Sequence, residues 1–513
     1  MRVHYGNALA YASRGAESAA QYLRAAELAK DSERPDLLQQ AALRFLISGH
    51  IDAGVQALIQ ALHAVHLSWP KTTLQAVIGL LTRKAWLGVR GLRSTAYRSA
   101  SNRVSPVTEN DLSSDSLFAA QEQKLTSSQQ RRLKVCWSAA AGLSVVDPVR
   151  GSYFLHEYLK IALRLQVPKY LLRALGAYVG HVAIGGNFSR KAVCGGLVEA
   201  RRVARGESHP YFAGTLLSAR GVAAHLRGQW SLSVRCCDRA LMYLQDERCR
   251  DVTWEVNTAR TFALWALQYQ GDLAEIARRQ PELLRIARET NDLFASLNYG
   301  TQVMTHLQLA VGRPDEARAR LKEDQSRLSS HGFFVQHHNY LLANVFVDLY
   351  EGIGDEAIER LRGEWRNYQK SFLSQVQQIR VDFLQVHCRA ALAAAASNYQ
   401  KRNSLETVKQ TIEKLKREKI GYAVALAEAF QAGWHHQQGD ANASRLHLEK
   451  AIVLLSKAQM FLYCNACRHV LVHRFDEKAP ASEIPTLATW ETLGVLKQPE
   501  RLANALLPGF GPS

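Results

Sequence analysis

The side chains whose types and spacing best suit chemistry are Cys464, Cys467, His469 and His473. Soft thiolates and imidazoles three or four residues apart can share one face of a helix and hold zinc, but no second Cys/His pair lies close by to close a tetrahedral site. The simpler reading makes Cys464 and Cys467 small packing residues and leaves the histidines at a polar edge. His156-Glu157 is followed by Tyr158-Leu159-Lys160, so the second histidine of a metalloprotease helix is missing. His337-His338 and His435-His436 read as ordinary surface or hydrogen-bonded histidines. No phosphate-cradling G-x-x-x-x-G-K-[ST] loop occurs, and the pairs Gly185-Gly186 and Gly195-Gly196 lack the lysine such a loop needs, so they predict helix ends or close packing. Kinase H-R-D and D-F-G signatures and the hydrolase G-x-S-x-G elbow are also missing. No catalytic, cofactor-binding or metal residue is therefore assigned, no cofactor is expected, and the chain is predicted not to be an enzyme.

The elements themselves carry a stronger pattern. Small-residue turns recur between amphipathic stretches at Gly228-Gln229-Trp230, Gly271-Asp272-Leu273, Gly312-Arg313-Pro314, Gly352-Ile353-Gly354 and Gly439-Asp440-Ala441. Their spacing is roughly forty residues, with one degenerate turn near Asn398 to Asn403, and such a period is the signature of stacked helical hairpins. Ala317, Ala357 and Ala443 sit where a second helix starts against the first, and Asp315, Glu316, Asp355 and Glu356 favour the positive end of that helix. The predicted fold is all-α, a tetratricopeptide-like α-α superhelical solenoid.

Residues 1–93 read as N-terminal hairpin repeats, with turns at Gly15 and Gly49 and a further helix from Thr72 to about Leu92. Residues 94–116, rich in serine, asparagine and threonine, read as a loop or linker. Residues 117–477 form the main solenoid, and 478–513 a segment that caps the last repeat. Trp137, Trp230, Trp254, Trp265, Trp365, Trp434 and Trp490 fall at helical spacing among leucines and alanines and are expected in the core between repeats, with an aromatic-lined concave surface as the alternative.

Composition narrows the class. The 513 residues are 47% hydrophobic with 13 prolines, which suits a packed helical protein. Eight cysteines without regular spacing do not form a secreted disulfide framework, and neither a signal peptide nor a membrane-spanning run is evident, so a cytoplasmic location is expected. The net charge of +18 can attract nucleic acid, anionic lipid or an acidic protein. Because the arginines are spread over nearly every helix, and the densest run, Lys409 to Lys419, also holds Glu413 and Glu418, solvated helix faces explain the charge better than a nucleic-acid groove.

Several stretches resemble the long tetratricopeptide-like C-terminal region of large bacterial serine/threonine protein kinases that carry a STAND-type ATPase module before the repeats. They are Leu46 to Gly54, Cys136 to Asp147 with Arg150-Gly151, Thr253-Trp254-Glu255, Ala277-Arg278-Arg279, and Gln498 to Phe510. The resemblance implies a regulatory arm that senses or docks a partner and controls the ATPase; neither catalytic module is present here, so no active-site residue carries over. Repeat text begins within ten residues of Met1, which suggests a C-terminal piece of a longer ancestor. The expected function is a non-catalytic protein-interaction or regulatory module of a bacterial signalling system, whose concave groove receives a kinase or ATPase module or a regulatory peptide. The alternatives are the C-terminal part of a serine/threonine kinase acting in ATP-dependent protein phosphorylation, and a basic nucleic-acid-binding solenoid. No membrane partner is expected.

Overall fold

The computed structural model describes residues 1–12, 14–93, 123, 125–144, 147–250, 252–328, 332–475 and 489–511, and the described residues form helices and connecting turns without a strand. The predicted linker at 94–116 lies outside them. The N-terminal hairpins are α1 (Arg2–Tyr11) with α2 (Gly15–Leu28) and α3 (Arg34–Ile47) with α4 (Ile51–Ala64), followed by α5 (Thr73–Arg90). Next come α6 (Ser127–Leu143), α7 (Pro148–Leu165), α8 (Pro168–Ala183) and α9 (Arg190–Ala204). The periodic region begins with α10 (Pro210–Leu226) and α11 (Trp230–Leu244), then α12 (Thr253–Gln270) and α13 (Leu273–Glu289). It continues through α14 (Leu293–Gly300), α15 (Gln302–Ala310) and α16 (Pro314–Gln325) to α17 (Val335–Glu351) and α18 (Gly354–Lys370). The last helices are α19 (Gln377–Ala396), α20 (Lys401–Arg417), α21 (Gly421–Gln437), α22 (Ala441–Lys457), α23 (Phe461–Phe475) and α24 (Pro499–Leu506).

Helix ends follow from local chemistry. The turn glycines Gly228, Gly271, Gly312, Gly352 and Gly439 all take φ between 71° and 82°, a conformation that only glycine adopts without strain, and each ends the first helix of a pair. At the degenerate turn Asn398 and Gln400 take left-handed φ of 62° and 44° instead. Second helices start on side-chain caps where an aspartate precedes them: Asp272 accepts from Glu275 N–H and Asp440 from Ala443 N–H, each at 3.0 Å. Thr72 with Gln75 and Thr126 with Gln129 build capping boxes for α5 and α6. The two glycine pairs divide their roles. Gly186 (φ 59°) lies in the turn after α8, whereas Gly196 lies inside α9, where a Cβ would meet Val179 at 2.7 Å.

The two helices of a pair differ in composition for a physical reason. First helices such as α19, with its run Ala390 to Ala396, and α21 (GYAVALAEAFQAGWHHQ) are apolar on several faces, because they pack on their partner and also on the first helices before and after. Second helices are polar on the outside. In α20, Ser404, Val408, Thr411, Ile412 and Leu415 turn inward while the lysines stay exposed. First helices thus form an inner layer and second helices an outer one.

The chain also comes round onto itself. The turn after α8 meets the start of α19, where Gln377 N–H donates to the Ile184 carbonyl at 3.1 Å. The turn after α10 meets Tyr422 at the start of α21, and the turn after α12 meets Leu462 at the start of α23. Earlier in the chain, Leu293 N–H donates to the Ser48 carbonyl at 3.0 Å. Segment 489–511 then lies where a further round would lie. Leu493 carbonyl accepts from Ala274 N–H, Leu496 N–H reaches Ala310, Gln498 accepts from Tyr350, and Gln437 reaches the Gly509 carbonyl. This segment therefore covers the ends of four inner helices, α15, α17, α19 and α21, as well as packing on α23. Among the described residues no helix is long and apolar enough to cross a membrane.

Candidate functional site

A partly open cavity of about 380 Å³ lies among the inner helices and is lined by residues of α6, α7, α8, α10, α12, α15, α17 and α19. Trp137, Trp254 and Trp265 face it, so part of the tryptophan set lines this interior surface, while Trp230 is fully buried and stacks on Tyr269 at 4.2 Å.

Polar groups stand on the apolar wall in distinct clusters. On α8, Arg173 pairs with Glu255 of α12 at 2.9 Å, donates to the Tyr211 hydroxyl at 2.9 Å and lies over the Trp137 ring at 4.9 Å. A buried guanidinium with a carboxylate and aromatic faces around it is a compensated charge. On α19, Asp382 accepts a hydrogen bond from the Tyr269 hydroxyl, and burial pushes its carboxyl up to about 7 despite that bond. One turn before it, Gln378 contacts His225 at 2.7 Å, and burial lowers His225 to about 3.

Two further groups lack that balance. His338, at the start of α17, is 1% exposed and neither ring nitrogen has a hydrogen-bond partner among the described residues. Burial lowers it to about 3, so the ring is neutral. Arg389, two turns beyond Asp382 on α19, is 3% exposed. It donates to the Ala505 carbonyl at 2.7 and 2.9 Å, to the Tyr463 hydroxyl at 3.2 Å and to Gln385 at 3.4 Å, and it lies over Phe346 at 4.7 Å. None of these partners is a carboxylate, and burial draws its pKa down.

Ser152 and His181 also face the cavity, with Oγ and Nδ1 3.1 Å apart. The Ser152 hydroxyl donates to the Pro148 carbonyl at 2.6 Å, so Nδ1 is the donor in the serine–histidine contact and cannot take the serine proton. The neighbour of His181 is the His156 ring at 5.4 Å, and burial lowers the two histidines to about 3 and about 4.

The residues singled out in the sequence lie elsewhere. Cys464 and Cys467 are fully buried in the core of α23, with burial raising both thiols, and the His469 and His473 rings lie tilted against each other at 4.2 Å. Among the described residues no three metal-ligating side chains come together. Of the doubled histidines, His338 joins the cavity wall, whereas His435 stacks on His447 and His436 lies tilted against Phe510. Arg173, Asp382 and Arg389 belong to no motif. The available signal was an isolated charge inside an otherwise apolar inner helix, as in Ala-Leu-flanked Arg173 and in Cys388-Arg389-Ala390. No protein-family model, curated protein or solved structure matches this chain.

Proposed function

We propose that the chain is a non-catalytic regulatory module, a tetratricopeptide-like superhelical solenoid that docks a protein partner. The observation that carries this reading is an apolar stripe on α5. Leu74, Ile78, Leu81 and Val89 are 68%, 54%, 58% and 93% exposed, and the first three recur at the spacing of one helix face. The opposite face of α5 is fixed to α7 by Arg83, which pairs with Glu157 at 2.7 Å and donates to the Tyr153 hydroxyl at 2.9 Å. A fixed helix with an apolar outer stripe suits a helix-packing partner. The concave side is a poorer docking groove than its repeat pattern implies, because successive rounds and segment 489–511 cover it. The resemblance to kinase-linked repeats makes a kinase or ATPase module the partner to look for, in a cytoplasmic bacterial signalling setting.

The test is a photo-crosslinking residue at Ile78 in the full chain at native expression, with Glu406 on the outer face of α20 as control. A kinase or ATPase crosslinked at Ile78 and lost when Leu74→Asp/Leu81→Asp is added supports the reading. An unchanged partner set in that variant, or nucleic acid released only by high salt with no protein, overturns it and favours the basic solenoid.

A further inference from the structure

We infer that the central cavity is a binding site for a small organic anion, a carboxylate or its sulfonate equivalent on an apolar body, with Arg389 receiving the charged group. This goes beyond partner docking and stands whether or not a protein binds at α5.

Three observations converge on it. The first is the cavity itself, about 380 Å³ lined by inner helices, a size suited to a small ligand and mostly apolar in its wall. The second is Arg389. A guanidinium this deep is costly unless a negative charge accompanies it, and among the described residues its acceptors are a backbone carbonyl, a hydroxyl and an amide oxygen. Arg173, facing the same cavity, shows what compensation looks like here, with Glu255 at 2.9 Å. A ligand carboxylate at Arg389 would supply the missing charge through the donor geometry that suits arginine best.

The third observation is the far end. His338 lines the cavity with both ring nitrogens buried and unpartnered among the described residues, and Asp382 lies on its wall with a raised pKa. Because Arg389 lies over Phe346, α17 and α19 run alongside each other with His338 near the level of Asp382. Seven residues of helix rise separate Asp382 from Arg389, about 10 Å. Between these ends the wall carries Leu342 and Val386. The ligand is thus an amphiphile about 10 Å long, anionic at one end and hydrogen-bonding at the other, with an apolar middle.

The probes are 8-anilinonaphthalene-1-sulfonate and N-phenyl-1-naphthylamine, the same aromatic body with and without the anion. The full chain should bind one equivalent of each, the sulfonate more tightly. Arg389→Met should lower sulfonate affinity about tenfold while leaving the neutral probe within about twofold, and Val386→Trp, which fills the space between the two ends, should weaken both. Should Arg389→Met fail to melt cooperatively, the comparison moves to the ligand. Decanoate should displace the neutral probe from the unaltered protein at about one-tenth the concentration of 1-decanol. Absence of saturable one-to-one binding, equal potency of decanoate and decanol, or an unchanged sulfonate preference in a folded Arg389→Met variant overturns the inference.

Discussion

Arg173 and Arg389 both line one cavity, and the molecule treats them differently. Arg173 has Glu255, the Tyr211 hydroxyl and the Trp137 face, all from neighbouring inner helices. Arg389 has the Ala505 carbonyl, contributed by the C-terminal segment, together with Tyr463 and Gln385. The first charge is compensated by a carboxylate on another inner helix, α12. The second depends on a segment more than a hundred residues away and has no counter-charge. One wall is therefore a finished structural element, and the other keeps an unsatisfied preference for an anion.

The harshest way to break this contrast is to delete residues 489–513. Leu493, Val495, Leu502, Leu506, Leu507 and Phe510 are each at most 4% exposed and would leave their neighbours bare, while Arg389 would lose both bonds to Ala505. At about 1.5–3 kcal/mol per large buried side chain the loss is comparable with the whole stability of a domain, so urea unfolding followed by circular dichroism should lose its cooperative transition. A truncated chain that melts within a few degrees of the intact one would show that the segment is not integral to the fold.

Next in size is Arg173→Met. It strands the Glu255 carboxylate, which is 6% exposed, and should cost about 3–5 kcal/mol in urea unfolding. Arg389→Met leaves no buried carboxylate behind and should cost only about 1–2 kcal/mol, the worth of hydrogen bonds from a charged donor offset by relief of a desolvated charge. Adding Glu255→Gln to Arg173→Met should recover much of the first loss. Equal costs for the two arginine variants would erase the proposed difference between the walls.

The pairing of helices was legible in the sequence, whereas the cavity was not. Gly228, Gly271, Gly312, Gly352 and Gly439 announce their turns because the left-handed backbone at each one demands glycine, a purely local requirement. Inner and outer helices are also distinguishable, since α20 alternates sharply between lysines and apolar residues while α21 does not. The contacts that bring the chain round onto itself, such as Gly271 against Leu462, depend on small rotations accumulated over many pairs and leave no residue signature. The cavity arises from that closure, so Arg389 and His338 could not be paired with it by spacing alone. In the cluster that drew notice first, Cys464 and Cys467 are core, whereas His469 is part-exposed and His473 exposed, as the packing reading expects.

The histidines facing the cavity offer a pH-dependent probe of both walls. Burial lowers His181 and His338 to about 3 and His306 to about 4, against an ordinary value of 6.5. A base whose folded pKa is depressed binds its proton more readily in the unfolded chain, so its contribution is fully present above pH 6.5 and is lost as the pH falls toward 3 to 4. At pH 5.5 each should cost roughly 1.4 kcal/mol relative to pH 7.5. Urea midpoints should fall steeply across that interval, and His338→Phe, which removes an unpartnered polar ring, should flatten the fall by one group's share. Midpoints independent of pH between 7.5 and 5.5 would mean these rings are hydrated and titrate normally.

The smallest effect distinguishes the acidic end of the cavity from its basic end. The raised Asp382 pKa, about 7, lies above the ordinary 3.8, so the group favours folding below pH 3.8 and loses that contribution as the pH rises through 7. Asp382→Asn keeps an oxygen to accept from Tyr269 but cannot ionise. Relative to the unaltered protein it should therefore gain about 2 kcal/mol of stability between pH 4 and pH 8, a figure reduced from the full shift because Asp382 retains some access to the cavity. The direction is opposite to that of the histidines, so the two slopes separate cleanly in one pH series. An Asp382→Asn variant that loses stability at pH 8 would instead make the ionised carboxylate a partner for a cation in the cavity, and the ligand end assigned there as a neutral hydrogen-bonding group would have to be cationic.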